Sequence, residues 1–191
     1  MRPFLRHDVH PDNPQGRQIQ AVAERVRAGA IAAVPTAGGY LLACRLDDKA
    51  AAKRLLRQAD ERQPVMLLCR DLGQAATHLR IDDHAFRTVR EARRGSTAFL
   101  LRCTHLVPRR LASGAGGAGL LYFAGNAAGQ ALLEQLDQPL LALPPEEGVQ
   151  ELLGLSVDSL AMLDVALDAG VLPELEAVEC VQLCQPARRG A

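Results

Sequence analysis

A glycine-rich segment, a pair of histidines and five cysteines are the patterns of this 191-residue chain that could carry site chemistry. Residues 114–119 fit G-x-G-x-x-G, and Glu134 stands about where a ribose-binding acid would follow. A dinucleotide site needs those glycines after a strand and at the start of a helix, where backbone amides meet pyrophosphate. Here a helical-looking turn precedes the glycines and a strand follows them. The order therefore favours a flexible loop over a dinucleotide site.

The histidines His7 and His10 could present two imidazoles to a metal ion. No set of Cys, Asp or Glu at metal-ligand spacing completes such a site, so a surface position is favoured and no metal is expected. The sequence also contains neither G-x-S-x-G nor a P-loop. Serine hydrolase and Walker-type NTPase chemistry therefore have no support.

The cysteines are odd in number and scattered through apolar runs, which is typical of reduced thiols in a cytoplasmic protein. Three of them end apolar strands, where a thiol usually acts as a small core side chain: Cys44, Cys69 and Cys103. Cys180 and Cys184 are four residues apart on a predicted strand and would share a face. That spacing is neither a CxxC motif nor a metal signature.

Charge is the stronger signal, although the formal net charge is zero. Residues 1–110 carry 20 basic and 11 acidic side chains, whereas residues 111–187 carry 11 acidic and no basic ones. Twenty of the basic residues are arginines, whose guanidinium groups suit phosphate recognition. Codon bias and solvated helix faces can produce the same excess of arginine. From charge alone, therefore, binding of a nucleic acid or nucleotide and an ordinary solvated surface are equally supported hypotheses.

Composition narrows the class of protein. A hydrophobic fraction of 48% and a charged fraction of 23% are those of an ordinary globular domain. With two Tyr, four Phe and no Trp, the chain offers few platforms for stacking single-stranded bases. Residues 1–14 lack the apolar core of a signal peptide, and the uncharged run at 111–133 is broken by six glycines. No membrane segment is therefore predicted.

Short apolar runs alternate with amphipathic stretches along the chain, which predicts an α/β fold with helices packed on a sheet. Strands are predicted at residues 30–35, 40–46, 65–69, 96–103, 119–123, 140–143 and 178–183. Helices are predicted at residues 15–28, 126–136 and 157–168, from a cap at residue 47 or 48 to about 58, and from residue 82 or 83 to 92. Single helical turns are predicted after residue 71 and at 108–113. No linker or repeat divides the chain, so one domain over residues 1–191 is expected.

Five short strings spread over the chain carry a further signal. They are Val-His-Pro-Asp-Asn-Pro-Gln at 9–15 followed by Arg17, Pro-Thr-Ala-Gly-Gly-Tyr at 35–40, Leu-Cys-Arg-Asp-Leu at 68–72, Val-Pro-Arg-Arg-Leu at 107–111 and Ala-Leu-Leu-Glu at 131–134. Together and in register they resemble the YciO branch of the YrdC-like family. The resemblance is close over about residues 9–143 and weak over residues 144–191.

This resemblance implies a YrdC-like twisted, mixed, open sheet with helices packed on it and a concave, positively charged face. Members of the family bind double-stranded RNA or nucleotides. The catalytic members make threonylcarbamoyl-AMP from threonine, bicarbonate and ATP, for modification of the adenosine beside the anticodon of certain tRNAs. ATP is accordingly the cofactor that the resemblance suggests.

The resemblance also suggests site residues. Thr36 and Tyr40 match the Pro-Thr turn, in which a hydroxyl and exposed amides can hold a small polar substrate. Arg57 keeps one cation of the family's Lys-x-Arg pair, and Arg62 could replace the other. Further phosphate contacts are expected from basic residues in the matching strings: Arg70, Arg109 and Arg110.

Three family features are missing from the chain. Ala37 replaces the acid after Pro-Thr, the Gly-x-Arg-x-Pro strand has lost its arginine at residues 119–123, and residues 141–145 replace Ser-x-Asn. Losing several phosphate-facing groups together predicts a large loss of transition-state stabilisation.

Three hypotheses follow from these observations. The first is a degenerate YrdC/YciO-like protein that binds duplex RNA or a nucleotide in a basic concavity, without full catalytic activity and with a link to tRNA modification or translation. The second is an active threonylcarbamoyl-AMP synthase with a rearranged site. The third is an interaction protein whose acidic C-terminal part docks a basic partner or its own basic half.

Overall fold

A nine-stranded mixed sheet is the centre of the computed structural model, which describes residues 3–58, 65–112, 117–143, 149–173 and 178–184. Its strand order is β1-β8-β2-β3-β7-β4-β6-β5-β9. The strands are β1 Leu5–Asp8, β2 Ala32–Thr36, β3 Gly39–Arg45, β4 Val65–Leu68, β5 Thr97–Arg102, β6 Ala118–Tyr122, β7 Leu140–Ala142, β8 Val165–Asp168 and β9 Glu179–Gln182. Both parallel and antiparallel pairs occur, which confirms the expected mixed α/β sheet.

Helices connect and cover these strands. They are α1 Gly16–Arg27, α2 Lys49–Leu55, α3 Leu72–His78, α4 Asp83–Glu91, α5 Ala127–Leu136 and α6 Val157–Met162. Short 3-10 turns lie at Leu56–Gln58, directly after α2, and at Leu152–Gly154. Within the described ranges, no helix is both long and apolar enough to span a membrane.

Side-chain caps explain where several helices begin. Asp48, Asp71, Asp82 and Asn126 each accept a hydrogen bond from a backbone N–H in the first turn of the helix that follows. Such caps satisfy backbone donors that have no partner inside the helix. They also fix where α2 and α3 begin; α2 carries Lys49 and Lys53, and Arg70 directly precedes the cap of α3.

The core is aliphatic, as the scarcity of aromatic residues requires. The predicted inner face of α1 is buried at Ile19, Val22, Ala23 and Val26, which confirms the 3.6-residue pattern. The largest fully buried side chains include Tyr40, Tyr122 and Phe99. Both tyrosines are therefore core residues whose hydroxyl groups need internal hydrogen-bond partners.

The expected helix at residues 157–168 is wrong in its second half. Helix α6 ends at Met162, and Val165–Asp168 forms strand β8 between β1 and β2. All four residues of β8 are buried, because it is parallel to both neighbours in the interior of the sheet. A short continuous apolar run cannot be assigned to helix or strand by periodicity alone. Strand β1, with which β8 pairs, was not anticipated either.

Candidate anion-binding face and Pro-Thr turn

A basic depression lies between α2 and the turn at residues 108–112. Its volume is about 530 Å³, and it is lined by Lys49, Lys53, Arg57 and Arg110 above an apolar base: Ala52, Leu56 and Leu111. All four cationic residues are exposed. Two of the arginines named from sequence are thus brought together, although they are 53 residues apart in the chain.

The geometry of α2 explains this cluster. Residues four apart on a helix share a face, so Lys49 and Lys53 lie in one row, which Arg57 extends from the 3-10 turn after α2. Arg110 comes from a single helical turn, closed by the Leu111 N–H bonding to the Pro108 carbonyl at 2.8 Å. The sequence prediction missed both lysines, although their spacing from each other and from Arg57 is visible in the sequence.

The electrostatics of this basic depression favour anions. No carboxylate is among the described residues that line it, and four like charges facing one concavity create a positive potential there. Arg109, also exposed, lies beside Arg110 in the same turn. Arg62, the remaining predicted cation of this region, lies outside the described residues.

Arg70 lies apart from this cluster, in a second depression on the other side of the 108–112 turn. Its Nε is 2.7 Å from Asp71 Oδ2, and its Nη1 is paired with Asp137 Oδ1. Two carboxylates thus compensate its charge. The structure brings Arg57 and Arg110 together but places Arg70 in a separate, electrically balanced environment.

The Pro-Thr turn is a tightly packed part of the core. Thr36 is fully buried, and its Oγ1 donates to the Gly39 carbonyl at 2.7 Å. The Tyr122 hydroxyl reaches the same turn and donates to the Gly95 carbonyl at 2.6 Å. Burial raises the pKa of Tyr122, while hydrogen bonding with the Thr36 side chain and the Gly38 backbone lowers it in part. These groups are satisfied within the chain.

Two glycines with positive φ, Gly95 and Gly125, pack closely against Ala37 of this turn. A Cβ on Gly95 would lie 2.5 Å from Ala37 Cβ, and one on Gly125 would lie 2.9 Å from it. The Ala37 N–H donates to the Ala124 carbonyl at 2.6 Å. With φ of 83° and 70°, the two glycines adopt backbone conformations that other residues rarely take. Ala37, at the position of the family's acid, is partly exposed and packs closely against the backbone of Gly95 and Gly125.

Tyr40 is fully buried and joins β3 to the end of β8. Its hydroxyl is 2.9 Å from Asp168 Oδ1 and 2.9 Å from the Gly170 carbonyl, and it accepts from the Ala169 N–H. Burial, with the Asp168 charge, raises the pKa of Tyr40 well above its ordinary value. Asp168 also pairs with Arg6, with Nε 2.7 Å from Oδ2. The hydroxyl is therefore committed to an internal network.

Ion pairs connect the basic and acidic parts of the chain. Asp137 pairs with Arg70, Asp164 with Arg54 at 3.0 Å, and Asp168 with Arg6. Each pair takes its carboxylate from the acidic part and its guanidinium from the basic part. The charge asymmetry of the sequence is thus partly compensated inside the fold.

The other sequence motifs take structural roles where they are described. His7 Nδ1 is 2.8 Å from Gln18 Oε1, and His10 Nδ1 accepts from the backbone N–H groups of Asp12 and Asn13. No cluster of three or more metal-ligating side chains occurs among the described residues. Most of the glycine-rich segment, residues 114–116, lies outside them.

The thiols are free at all five cysteines, each of which lies in a described range. Cys44 and Cys69 are fully buried, and burial raises the pKa of each thiol to about 12. Cys103 is half-buried and Cys180 is exposed. The expectation of core thiols at strand ends therefore holds for the first two positions.

Comparison with known proteins adds family relationships to this geometry. The Sua5/YciO/YrdC family model, described as "Telomere recombination", matches residues 24–144. The uncharacterized protein YciO of Escherichia coli K12 is 38% identical over 136 residues, which are 70% of this chain and 66% of YciO. The match thus spans slightly less than two thirds of that relative.

Solved structures are similar to the whole described fold. The crystal structure of Escherichia coli YciO aligns with a TM-score of 0.84 at 30% identity, covering 96% of this chain and 92% of YciO. The structure of P. abyssi Sua5 complexed with L-threonine aligns with a TM-score of 0.83 at 17% identity, covering 94% of this chain and 54% of Sua5. At that identity, the second likeness concerns the fold alone.

Proposed function

The chain belongs to the Sua5/YciO/YrdC family, and we propose that it binds the phosphate groups of RNA or of a nucleotide in the basic depression. The observation that carries this proposal is the convergence of Lys49, Lys53 and Arg57 with Arg110 around one cavity. We assign the protein to the cytoplasm, where RNA and nucleotides are found.

The spacing of the cations suits a chain of phosphates. Four residues of an α-helix rise about 6 Å, which is close to the separation of successive phosphates along one strand. A row of three such cations can therefore follow a backbone, while Arg110 approaches from the opposite wall. Arginine adds a planar pair of donors that matches phosphate oxygens. Arg109 in the same turn offers a further contact at the rim.

We propose further that the protein does not synthesise threonylcarbamoyl-AMP, the activity of its catalytic relatives. The Thr36 hydroxyl is bonded to the Gly39 carbonyl, and the Tyr122 hydroxyl beside the turn is bonded to the Gly95 carbonyl. A small substrate would have to displace these internal hydrogen bonds. Ala37 cannot supply the carboxylate of the family pattern. ATP would then be held through its phosphates without being turned over.

Binding of a short duplex RNA and of ATP, each measured from 50 to 300 mM salt, tests the phosphate proposal. We expect duplex RNA to bind with a steep salt dependence, because each neutralised phosphate releases counterions. Lys53→Ala and Arg57→Ala should each weaken binding and lower the slope of log K against log salt by about 1. Comparing RNA with ATP distinguishes a polymeric ligand from a single nucleotide.

Arg87→Ala is the matched control, because Arg87 is an exposed helical arginine on α4 that does not line the basic depression. It should leave both affinity and slope unchanged. Salt-insensitive or undetectable binding of both ligands would contradict the proposal. So would an equal loss in Arg87→Ala, because that would indicate attraction by overall charge.

A synthase assay tests the lack of activity separately. The protein is incubated with ATP, threonine and bicarbonate, and release of pyrophosphate is followed. We expect no rate above that of Arg57→Ala, in which a proposed phosphate contact is missing. A rate that depends on all three substrates and falls in Arg57→Ala would instead establish the synthase hypothesis.

A further inference from the structure

A second depression adjoins the basic one and differs from it in chemistry. Its volume is also about 530 Å³, and it lies between the end of β3, helix α3 and the segment joining α5 to β7. Two chain segments separate the cavities: Leu46 and Pro108 line the second, whereas Lys49 and Arg110, a few residues further along each segment, line the basic one. The two cavities are thus neighbours along both segments.

The second depression does not favour a bare anion. Arg70, the cation in its lining, is already paired with Asp71 and Asp137. Asp47, on another wall, is held by Arg45, with Nη2 at 2.5 Å from Oδ2. Because the charges of the lining compensate one another, a phosphate gains more in the basic depression than here.

Its walls combine apolar surface with amide groups. Leu106, which is 51% exposed, stands at the rim with Pro108, and Pro139 adds apolar surface on another wall. The Gln74 Oε1 accepts the Arg70 N–H at 2.9 Å, which leaves the two N–H donors of its amide for another partner. Such a lining suits a flat, uncharged group with hydrogen-bonding atoms along its edge.

Gln138 is the most informative residue of this lining. It is half-buried, and its side-chain amide has no hydrogen-bond partner in the part of the chain that the structure describes. An amide offers two donors and one acceptor, the pattern that pairs with the edge of a nucleobase. A half-buried amide gains free energy when a ligand supplies those partners.

We propose that the second depression is a nucleobase subsite, so that a nucleotide places its phosphate in the basic depression and its base against Gln138, Leu106 and Pro108. This inference rests on the proposed phosphate binding and adds a base-dependent part to it. Stacking on Leu106 and Pro108 would replace the aromatic platforms that the composition lacks.

Four nucleoside monophosphates are compared with ribose 5-phosphate as ligands, since ribose 5-phosphate has the same phosphate and sugar but no base. We expect at least one nucleotide to bind tenfold or more tightly than ribose 5-phosphate. Gln138→Ala should remove most of that difference while leaving ribose 5-phosphate binding unchanged. Gln20→Ala, on the exposed face of α1, is the matched control.

NMR locates the base directly. The Leu106 methyl and Gln138 side-chain amide signals should shift with the preferred nucleotide and not with ribose 5-phosphate. Equal affinity for all five ligands would overturn the inference and leave the proposed function standing. Salt-dependent binding of duplex RNA without binding of any mononucleotide would overturn it as well. Failure of the proposed function is recognised differently, by the loss of salt-dependent binding of RNA and ATP alike.

Discussion

The Tyr122 hydroxyl donates to the Gly95 carbonyl over 2.6 Å, and this bond joins strand β6 to the loop before β5. Both residues are buried. A Cβ on Gly38 would lie 2.5 Å from the same hydroxyl, so the phenol also fills the mouth of the Pro-Thr turn. One side chain thus fastens the end of β6 to the loop before β5 and packs against the Pro-Thr turn.

Tyr122→Phe should destabilise the protein without changing its shape. The substitution leaves the buried Gly95 carbonyl without its donor, and an unsatisfied buried group costs about 1–3 kcal/mol. The free energy of unfolding is measured by urea denaturation. Thr88→Val, which removes an exposed hydroxyl on α4, should change it by less than about 0.5 kcal/mol. An equally small effect of Tyr122→Phe would contradict the assigned bond.

Gly129→Ala should strongly destabilise the packing of α5 on β2. The added Cβ would lie 2.3 Å from the Pro35 carbonyl oxygen and 2.8 Å from Ala124 Cβ, so helix and turn would have to move apart. Overpacking of this kind typically costs about 1–3 kcal/mol or more. The melting temperature, read by circular dichroism, is expected to fall.

Gly16→Ala gives the opposite expectation at the start of α1. No heavy atom lies within 4 Å of an added Cβ there, and the glycine is helical. The substitution should therefore be neutral or stabilise by up to about 1 kcal/mol. If Gly16→Ala and Gly129→Ala lost a similar amount of stability, the close contact of the residue 129 Cβ with the Pro35 carbonyl would not be the cause of the loss in Gly129→Ala.

Much of the fold follows from local sequence signals. The two strands of the β2–β3 hairpin are predicted from apolar runs on either side of Gly38 and Gly39, and the helical turn after Asp71 and the helix at residues 126–136 are predicted from their local patterns. Strand β8 is missed because a buried parallel strand shows no alternation. Its identity depends on its neighbours β1 and β2, which the periodicity does not reveal.

Only part of the candidate site can be predicted from the sequence, namely the basic residues that lie in family-like strings or at helical spacing. Arg57 and Arg110 are identified from resemblance, and the structure adds the two lysines that complete their cavity. The ion pairs of Arg70 depend on Asp137, 67 residues away, and no local pattern predicts that contact. The close packing around the Pro-Thr turn could not be predicted from the sequence either, because it depends on long-range contacts of Tyr122 with Gly95 and Gly38.

The cysteines should differ sharply in reactivity. Burial raises the pKa of Cys44 and Cys69 to about 12, so almost no thiolate forms at pH 8, and neither side chain is accessible. Cys180 is exposed on strand β9. Brief iodoacetamide treatment, read by intact mass and peptide mapping, should modify Cys180 first. Labelling of Cys44 and Cys69 should require denaturant, and their modification in native protein at a rate equal to that of Cys180 would contradict the described packing.

Asp71 should contribute to the acid sensitivity of the protein. The Gln74 N–H, and then Arg70, stabilise its charged form and lower its pKa from the ordinary value of 3.8. A carboxylate with a lowered pKa in the folded state stabilises the fold above its unfolded pKa. That contribution to stability is lost as the pH falls through the lowered pKa of Asp71 in the folded state.

Asp71→Asn tests this pH dependence, because Asn keeps an acceptor for the cap but neither titrates nor pairs with Arg70. At pH 7 the wild type should be more stable than the variant by a small amount, as expected for an exposed ion pair. Urea unfolding at pH 7, 5, 4 and 3 should show this difference shrinking below about pH 4. Asp12→Asn, in the exposed loop before α1, is the matched control for the loss of one surface carboxylate, and its stability at pH 7 should be close to that of the wild type. If the difference in unfolding free energy between wild type and Asp71→Asn stayed constant from pH 7 to pH 3, the prediction would be contradicted. The effect would then come from the geometry of the helix cap and not from the charge of Asp71.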